Sequence, residues 1–425
     1  MARRALILVE GHRSIGLLYV NAAQRLGLFP ITLSADPTQY NYLAAEGIEA
    51  IRVDTNNLDA LIRECSRLRA TYDVAGITGF SGLDESVYAT VGKLCRYFDL
   101  PGPDPVSIER CYDKFTQRQF LAGAGVPIPA YRLTSNATGV ESSAAEIGLP
   151  VIVKPAIGAG SSGVRLCRNA DELAKHTTYL LGGKRSSSRI LVEEFAQGSH
   201  YSVEIMENEV FGIAAVDFGP PPHFVSRKYT YPAVLTDDEY ERIADVSLSC
   251  LRTLGLGWGP TNIDLRWTKL GPVVVEVNPR LAGSPTPELV QLAYGVDLIT
   301  EHIKLVIGSE WNLRKRHSHI AAARILVPDC DGTLDWIDGD GRAAAVSGVA
   351  EVKLYVEPKT PIVRKGDFRD AIGYVIAVSP TLDQTQTILQ RAVDLIHWSI
   401  TPFPPPGEER SAALTPVPAE VAPDK

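Results

Sequence analysis

The chain has 425 residues, and its 42 basic and 50 acidic side chains give a formal net charge of −8. This acidic balance argues against a general surface for nucleic acid or anionic membranes. Hydrophobic residues make up 45% and charged residues 22% of the chain, which is typical of folded proteins with ample core. The apolar run from Ala5 to Val9 is too short for a signal peptide or a membrane span, and no CxxC pair occurs. We therefore expect a soluble, cytoplasmic protein.

Short apolar runs alternate with helical patterns over the first hundred residues. The apolar runs are ALILV, FPITL, IEAIRV and YDVAGIT, and the helical patterns end near Gly27 or cover residues 57–69 and 84–98. This alternation predicts a parallel α/β layer. The prolines and glycine of LPGPDP break helices and predict a boundary, so we assign residues 1–106 to an N-terminal domain.

The middle of the chain begins with helical residues at 107–123 and continues into short strands and helices. We predict that this second part, at about 134–196, is an inserted and mobile lid lobe. Strand patterns dominate from His200 to Leu281, and residues 285–307 are helical. This pattern predicts a mainly antiparallel sheet backed by helices, within a domain at 107–310.

The last part of the chain contains further strands and one long helix. The strand-like segments are AAARIL, EVKLYV and GYVIAVS, and the helix is predicted from about Leu382 to His397. These elements define a C-terminal region at 311–401. Residues 402–425 are rich in proline and charge and poor in large apolar groups, which predicts a disordered tail.

The segment GAGSSG satisfies the dinucleotide-binding pattern GxGxxG with Gly158, Gly160 and Gly163. A dinucleotide-binding loop opens directly onto a helix, whereas this loop runs into the strand-like VRLCR. No lysine follows Gly163, so a Walker loop is excluded too. A flexible hairpin remains, with backbone N–H groups that can approach phosphate and Lys154 just upstream. A structural hairpin without a ligand is the alternative.

Two strand-like segments carry oxygen ligands close together in the sequence. TNIDLRW contains Asp264, and PVVVEVNPR places Glu276 and Asn278 on one strand face because side chains alternate. Mg²⁺ prefers carboxylate and amide oxygens and keeps positions open for phosphate and water. Arg280 alternates onto the same side and offers a fork for a carboxylate or phosphoryl group. The alternative is a pair of edge-strand carboxylates bonded to Arg266 and Arg280.

Taken together, these motifs resemble the ATP-grasp superfamily, in the right order over roughly residues 1–400. YDKFTQRQFLAGAGVPIPAY is similar to the entry of that fold, LPVIVKPAIGAGSSGV to its glycine-rich lid, RILVEEFAQGSHYSVE to its hinge, and DLRW with EVNPR to its metal-binding strands. The resemblance implies an α/β ATP-grasp fold. This fold has a Rossmann-like parallel N-terminal domain, a mobile lid subdomain and a mainly antiparallel C-terminal sheet.

The resemblance also implies roles for individual residues, and ATP with Mg²⁺ (or Mn²⁺) as cofactors. Those implied to contact the nucleotide phosphates are Lys114, Lys154, Gly158, Gly160, Ser161, Ser162 and Gly163, with Glu204 ordering this side. Those implied to contact adenine are Glu193, Glu194, Phe195 and Ala196. The implied metal ligands are Asp264, Glu276 and Asn278, where Asp264 replaces a residue that is usually glutamate. Arg280 corresponds to the arginine that stabilises the acyl phosphate.

The C-terminal region narrows the choice among ATP-grasp enzymes. GYVIAVSPT and the following helix resemble a region shared by biotin carboxylases and by amino-acid ligases of the bacilysin synthetase type. The sequence lacks the GGGG(K/R)GM loop and the AMKM motif, which disfavours carboxylation. FVSRKYTYPA is more similar to the ligases. By that similarity Lys228, or Arg227 beside it, contacts the γ-phosphate or the acyl substrate, with a solvated loop charge as the alternative.

The resemblance implies an ATP-dependent ligase that joins a carboxylate to an amine through an acyl phosphate. Its expected substrates are an amino acid and a second amino acid or small carboxylic acid, without nucleic-acid or membrane partners, and we expect a homodimer. The alternatives are a biotin-carboxylase-like or purine-pathway carboxylase, an NAD-dependent oxidoreductase and an inactive ATP-binding module. Ser14, Ser81 and Glu85 follow N-terminal strands, where they are candidates for ligand contacts or helix caps.

Overall fold

The computed structural model describes residues 2–80, 86–182 and 189–404. The chain opens with alternating strands and helices, as the alternating apolar runs predict. Their bounds are β1 Arg4–Val9, α1 Gly16–Arg25, β2 Phe29–Ser34, α2 Asn41–Ala45, β3 Glu49–Arg52, α3 Leu58–Arg69, β4 Asp73–Gly79 and α4 Ser86–Tyr97. The strands pair in parallel in the order β3-β2-β1-β4. From β1 the chain adds strands on one side, β2 and β3, and then crosses to add β4 on the other side of β1. The loop after β1 therefore lies at this switch point, where parallel sheets commonly bind ligands.

The next elements are two helices, followed by a separate antiparallel sheet that two further helices cover. We call this sheet the lid sheet. The bounds are α5 Pro105–Tyr112, α6 Lys114–Gly123, β5 Tyr131–Thr134, α7 Ala137–Ile147, β6 Val151–Pro155, β7 Arg165–Cys167, α8 Ala170–Gly182 and β8 Ile190–Glu194. The strand order is β5-β8-β6-β7. β6 and β7 are antiparallel neighbours, so the glycine loop joins two strands, as the sequence predicts, and opens onto no helix.

A large sheet forms the centre of the molecule. Its first elements are β9 Ser199–Met206, β10 Glu209–Phe218, β11 Ser226–Tyr231, α9 Asp237–Leu254, β12 Pro260–Thr268, β13 Gly271–Asn278, α10 Thr286–Tyr294 and α11 Leu298–Val306. The helical stretch predicted at 285–307 is therefore two helices. Gly295, with φ +68°, ends α10 in a left-handed conformation that a side chain with a Cβ rarely adopts.

The C-terminal elements extend this same sheet by three strands and build a separate small sheet. Their bounds are β14 Ile320–Leu326, β15 Gly332–Asp338, α12 Asp340–Ala344, β16 Val349–Leu354, β17 Pro361–Ile362, β18 Gly373–Ser379, α13 Leu382–Val393 and β19 His397–Thr401. The large sheet has the antiparallel order β13-β12-β9-β10-β11-β14-β18-β16, and a small sheet has the order β17-β15-β19. The helix predicted up to His397 ends earlier, and His397 begins a strand. Most of the predicted disordered tail, residues 405–425, lies outside the described residues.

The observed layers confirm the predicted fold class, an α/β protein with a parallel N-terminal layer and a mainly antiparallel large sheet. One apolar core joins the N-terminal layer to this sheet and includes Leu6, Tyr19, Ala214, Leu289 and Ile376. Within the part of the chain that is described, no helix combines the length and the apolar character needed to cross a membrane.

Candidate active site

A cavity of about 280 Å³ lies between the lid sheet and the large sheet. Most of the residues predicted from the sequence to form a site line this cavity. They are Lys114, Lys154, Gly158, Gly160, Ser161, Ser162, Glu193, Glu194, Phe195, Ala196, Asp264, Glu276, Asn278 and Arg280. Gly163, Glu204 and Lys228 do not line it. The fold therefore brings motifs from the glycine loop, the hinge and the β12–β13 pair around one space.

Lys114 connects the glycine loop to the large sheet. Its ammonium group donates a hydrogen bond to the carbonyl oxygen of Gly158 and lies 2.8 Å from Oε1 of Glu276. Gly158 and Gly160 have positive φ angles of +147° and +64°, so the loop backbone turns in a way that glycine allows. Gly163 packs closely against β6, since a Cβ there would lie 3.1 Å from the Pro155 ring.

A buried ion-pair triad lies beneath the loop. The Nε of Arg118 lies 2.7 Å from Oε1 of Glu193, and the Nζ of Lys154 lies 2.6 Å from Oε2 of Glu193. Burial alone raises the pKa of Glu193, but the charges of Arg118 and Lys154 outweigh it and hold that pKa below its usual range. Burial lowers the pKa of Lys154, and Glu193 opposes this effect. The carboxylate therefore stays ionised and fixes the lysine beside the cavity.

The hinge residues Glu194, Phe195 and Ala196 line the cavity where β8 ends. The N–H of Glu194 donates to the carbonyl oxygen of Ala130 at 2.9 Å, so this backbone group is already bonded within the protein. The guanidinium carbon of Arg266 lies 5.3 Å from the ring centroid of Phe195. An aromatic and cationic wall of this kind suits a flat, electron-rich ring system.

The predicted metal ligands lie side by side on two paired strands. Asp264 is directly opposite Glu276 in the register of β12 and β13, and Asn278 follows Glu276 on the same face. Nε2 of His200 lies 3.3 Å from Oδ1 of Asp264. Burial opposes ionisation of Asp264, but hydrogen bonds from His200 and Ser202 hold its pKa below the usual value. Asp264 therefore presents an ionised carboxylate to the cavity at neutral pH.

This ligand set fits magnesium. No group of three or more histidine, cysteine, aspartate or glutamate side chains in the described ranges could hold a metal ion by itself. The cavity instead offers two carboxylates and one amide oxygen. Mg²⁺ is usually bound by one or two carboxylates, with substrate phosphates and waters at its other positions. A site completed by a nucleotide is consistent with this arrangement.

Arg280 follows β13 and lines the cavity, and its charge acts on His12 in the loop after β1. His12 in that loop accepts a hydrogen bond at Nδ1 from the N–H of Ser14, at 3.2 Å. Burial, and then the positive charge of Arg280, lower the pKa of His12 to about 4. The N-terminal layer therefore approaches the end of the cavity where Arg280 lies. The other two candidates from this layer, Ser81 and Glu85, lie outside the described residues.

Two family models match the chain. The carbamoyl-phosphate synthase L chain ATP-binding domain matches residues 113–314, and the L-amino acid ligase C-terminal domain 2 matches residues 324–401. The chain belongs to the ATP-grasp superfamily. It is an enzyme of the ATP-grasp ligase class, which forms C–N bonds and releases ADP. ATP-grasp enzymes use ATP and Mg²⁺.

The chain is also similar to individual proteins and solved structures. The uncharacterized protein y4rH of Sinorhizobium fredii is 62% identical over 404 residues, which cover 94% of this chain and 84% of that protein. Carnosine synthase 1 of Gallus gallus is 28% identical over 247 residues, 53% of this chain, and the match spans only 26% of that longer protein. The crystal structure of an L-amino acid ligase from Bacillus licheniformis superposes with a TM-score of 0.78 at 18% identity. The superposition covers 94% of this chain and 100% of the ligase chain, and the similarity concerns the fold.

Glu204 lies behind the wall of the ATP-grasp cavity. It is buried on β9, and the side-chain amide of Asn262 donates to its Oε1 at 2.8 Å. Burial raises the pKa of Glu204 to about 7. Asn262 itself lines the cavity, so Glu204 supports the cavity wall through this neighbour.

Lys228 is on the opposite face of β11 from the ATP-grasp cavity. Tyr229 and Val216 are paired in the register and both line the cavity, whereas Lys228 is paired with Asp217. Because neighbouring side chains of a strand alternate between faces, Lys228 points away from the cavity. Arg227 donates to a backbone carbonyl at 3.2 Å and does not line the cavity either.

Several residues of the ATP-grasp cavity were not predicted from the sequence. They include Arg118 behind the wall, and His200, Phe224, Tyr229 and Phe368 in it. Arg118 could have been recognised from the sequence, because it follows Lys114 by four positions on α6, a spacing that puts both on one helix face. Phe368 could not have been recognised in this way, since it reaches the glycine loop from the C-terminal region.

Proposed function

We propose that the chain is an ATP-dependent carboxylate–amine ligase that forms an amide bond through an acyl phosphate, with an amino acid as one substrate. The observation that carries this proposal is the convergence of the glycine loop, Lys154, Glu276 and Arg280 on one cavity. The match of residues 324–401 to an L-amino acid ligase domain supports the choice of substrate class.

In this proposal the chain's own residues bind and orient the triphosphate. The backbone N–H groups of the glycine loop approach the phosphate oxygens, and Lys114 and Lys154 supply positive charge. Glu193 holds Lys154 in place at 2.6 Å, so the lysine needs little reorganisation when ATP binds. Asp264, Glu276 and Asn278 would hold Mg²⁺, which when bound neutralises phosphate charge.

Arg280 faces the charge that develops during transfer. A substrate carboxylate attacks the γ-phosphorus, the bond to the β–γ bridging oxygen breaks, and ADP leaves with that oxygen. The guanidinium group of Arg280 stabilises the transferred phosphoryl group and the acyl phosphate. The amine then attacks the acyl carbon, loses a proton and displaces phosphate. This chemistry requires no protein nucleophile.

The test is to identify the products. Purified protein is incubated with ATP, Mg²⁺, hydroxylamine and a panel of amino and dicarboxylic acids, and nucleotide products and hydroxamate are measured. We expect ADP, phosphate and an acid-dependent hydroxamate, because hydroxylamine intercepts the acyl phosphate. AMP would indicate an adenylate-forming enzyme instead. ADP formation that depends on bicarbonate and gives no hydroxamate would support a carboxylase.

A matched pair of variants assigns the reaction to this cavity. Arg280→Ala is expected to abolish the hydroxamate, since the acyl phosphate loses its stabilising charge. Arg132→Ala, which removes an exposed arginine of the lid sheet, serves as the control and is expected to retain the product. Equal hydroxamate yields from both variants would contradict the assignment of Arg280.

The proposal also includes a homodimeric assembly, which light scattering of the purified protein tests directly. A mass close to 92 kDa, about twice the 46.1 kDa of one chain, is the expected result. A monomer would refute the assembly without affecting the proposed reaction.

A further inference from the structure

A turn from the C-terminal region rests on the glycine loop. This turn, residues 366–370, lies between β17 and β18, far along the chain from the loop. The N–H of Phe368 donates to the carbonyl oxygen of Gly160 at 3.3 Å, and Nη2 of Arg369 donates to Oγ of Ser162 at 3.3 Å. Phe368 also lines the cavity. The turn is therefore in contact with both the loop and the candidate nucleotide site.

The aromatic ring of Phe368 lies directly against the backbone of Gly160. A Cβ added to Gly160 would lie 2.4 Å from Cδ1 of Phe368, closer than carbon atoms can approach. Gly160 also has a φ of +64°. The glycine thus serves two purposes here, since it permits the turn of the loop and leaves space for the ring. Phe368 is 51% exposed, so burial in an apolar core does not explain its position.

Hydrogen bonds within the turn hold its backbone without help from the loop. Asp367, which is buried, accepts hydrogen bonds from the backbone N–H of Arg369 at 3.0 Å and from its Nε at 2.9 Å. Asp370 accepts bonds from the N–H groups of Lys365 at 2.6 Å and of Gly366 at 2.9 Å. Each carboxylate therefore fixes the backbone on one side of Phe368. A turn held by its own hydrogen bonds can restrict the glycine-rich loop that it contacts.

We propose that Phe368 and Arg369 are positioning residues of the ATP site, which hold the glycine loop over the phosphates. This inference rests on the ATP-dependent function proposed for the cavity. Contacts that favour the closed position of the loop lower the entropy lost when the loop closes over bound ATP. A loop that stays over the phosphates also excludes water from the acyl phosphate. The region matched by the L-amino acid ligase C-terminal domain would then contribute to nucleotide binding in this chain.

The test uses the full chain with Phe368→Ala, with Phe368→Tyr as the conservative variant and Phe403→Ala as the control. Phe403 is a similarly exposed phenylalanine, at 42%, located after β19. We expect Phe368→Ala to weaken MgATP binding roughly fivefold in calorimetry, equivalent to about 1 kcal/mol. Its KM for ATP should rise by a similar factor while kcat changes less. Phe368→Tyr and Phe403→Ala should resemble the wild type.

A double-mutant cycle with Gly160→Ala separates positioning from general destabilisation. If the ring occupies the space beside Gly160, Gly160→Ala displaces it, and Phe368→Ala adds little further loss of ATP affinity in that background. Arg369→Gln removes the side-chain contacts to Ser162 and Asp367 and keeps the backbone N–H bond to Asp367. This variant should raise the rate of ATP hydrolysis that is not coupled to formation of the amide product. Independent, additive losses in the cycle, or wild-type ATP affinity in Phe368→Ala, would overturn the inference.

This test remains informative if the proposed reaction is wrong. Calorimetry with MgATP requires neither the acid nor the amine. A wild-type protein that binds MgATP but forms no hydroxamate would refute the proposed ligase activity, while the affinities of the Phe368 variants would still test the positioning role.

Discussion

At the scale of single residues, the buried triad explains how a lysine is kept beside a nucleotide site. Arg118 and Glu193 have side chains that are 0% and 3% exposed. Placing these charges away from water is costly, and their mutual attraction offsets this only while all partners are present. The triad therefore contributes more to holding Lys154 in position than to the free energy of unfolding.

Removal of one member of the triad should destabilise the fold. We expect Arg118→Met to lower the free energy of unfolding by about 3 kcal/mol, because Glu193 loses the partner of one oxygen. The midpoint of urea unfolding measures this. Arg132→Met, which breaks an exposed pair with Glu146, is the control and should leave the midpoint close to that of the wild type. Similar midpoints for both variants would contradict the role of the triad.

Glu276 has two partners in the proposed mechanism, the metal ion and Lys114 at 2.8 Å. Glu276→Gln removes a charged ligand and leaves the lysine charge without its partner, so turnover should fall by roughly two orders of magnitude or more. Initial rates at saturating ATP and Mg²⁺ measure this effect, and circular dichroism checks the fold. Glu146→Gln on the exposed surface of the lid is the control. A Glu276→Gln enzyme with near-normal turnover would remove Glu276 from the metal site.

At the scale of elements, the sequence predicts local geometry well where a pattern extends over several residues. The run VIVKP, the glycines and VRLCR together predict a strand, a loop and a second strand, and β6 and β7 confirm this arrangement. The helix predicted at 57–69 is α3, which begins at Leu58 after Asn57 caps it. Such features depend on neighbours in the chain, so they can be recognised from sequence.

Features that depend on distant neighbours were not predicted. The break at Gly295 separates α10 from α11, although the apolar pattern continues across it. The orientation of Lys228 follows from its position next to Tyr229, which faces the cavity. The sequence does not indicate this register, nor its irregularity between Asp217 and Phe218. Phe368 reaches the glycine loop only because β18 joins the large sheet.

The lid sheet and its glycine loop should change their dynamics when nucleotide binds. We expect the backbone amides of β6, β7 and the loop between them to exchange more slowly with MgATP, because a loop that admits ATP must open in its absence. Hydrogen exchange with and without MgATP measures this. The parallel strands β1 and β2 provide an internal control and should be unaffected. Equal protection of the loop in both states would contradict a mobile lid.

At the scale of the whole molecule, a buried hydrogen bond is among the contacts that join the N-terminal layer to the helices behind the large sheet. The hydroxyl group of Tyr19 on α1 lies 2.7 Å from Nδ1 of His302 on α11. Burial raises the pKa of Tyr19 well above its usual value, so the phenol keeps its proton and can donate to the neutral imidazole. Both residues lie where the layers pack together, so a charge on His302 would act on the stability of the assembled core.

The stability of the whole chain should therefore depend on the protonation of His302. Burial lowers the pKa of His302 to about 4, whereas an unfolded histidine has a pKa of about 6.5. The unfolded state takes up the proton first, so this contribution to stability is present above pH 6.5 and is lost as the pH falls towards 4. The loss amounts to roughly 3 kcal/mol at most, from 1.36 kcal/mol for each pKa unit.

This dependence is measured as a difference between the wild type and His302→Gln in urea unfolding between pH 7.5 and 4, since other groups titrate in both proteins. We expect a constant offset above pH 6.5 and a decline of the wild type relative to the variant below it, because only the wild type can bind a proton at this position. His397→Gln, at an exposed position on β19, should follow the wild type throughout. An offset that stays constant down to pH 4 would show that His302 can be protonated in the folded protein without cost, and the junction between the layers would then be hydrated.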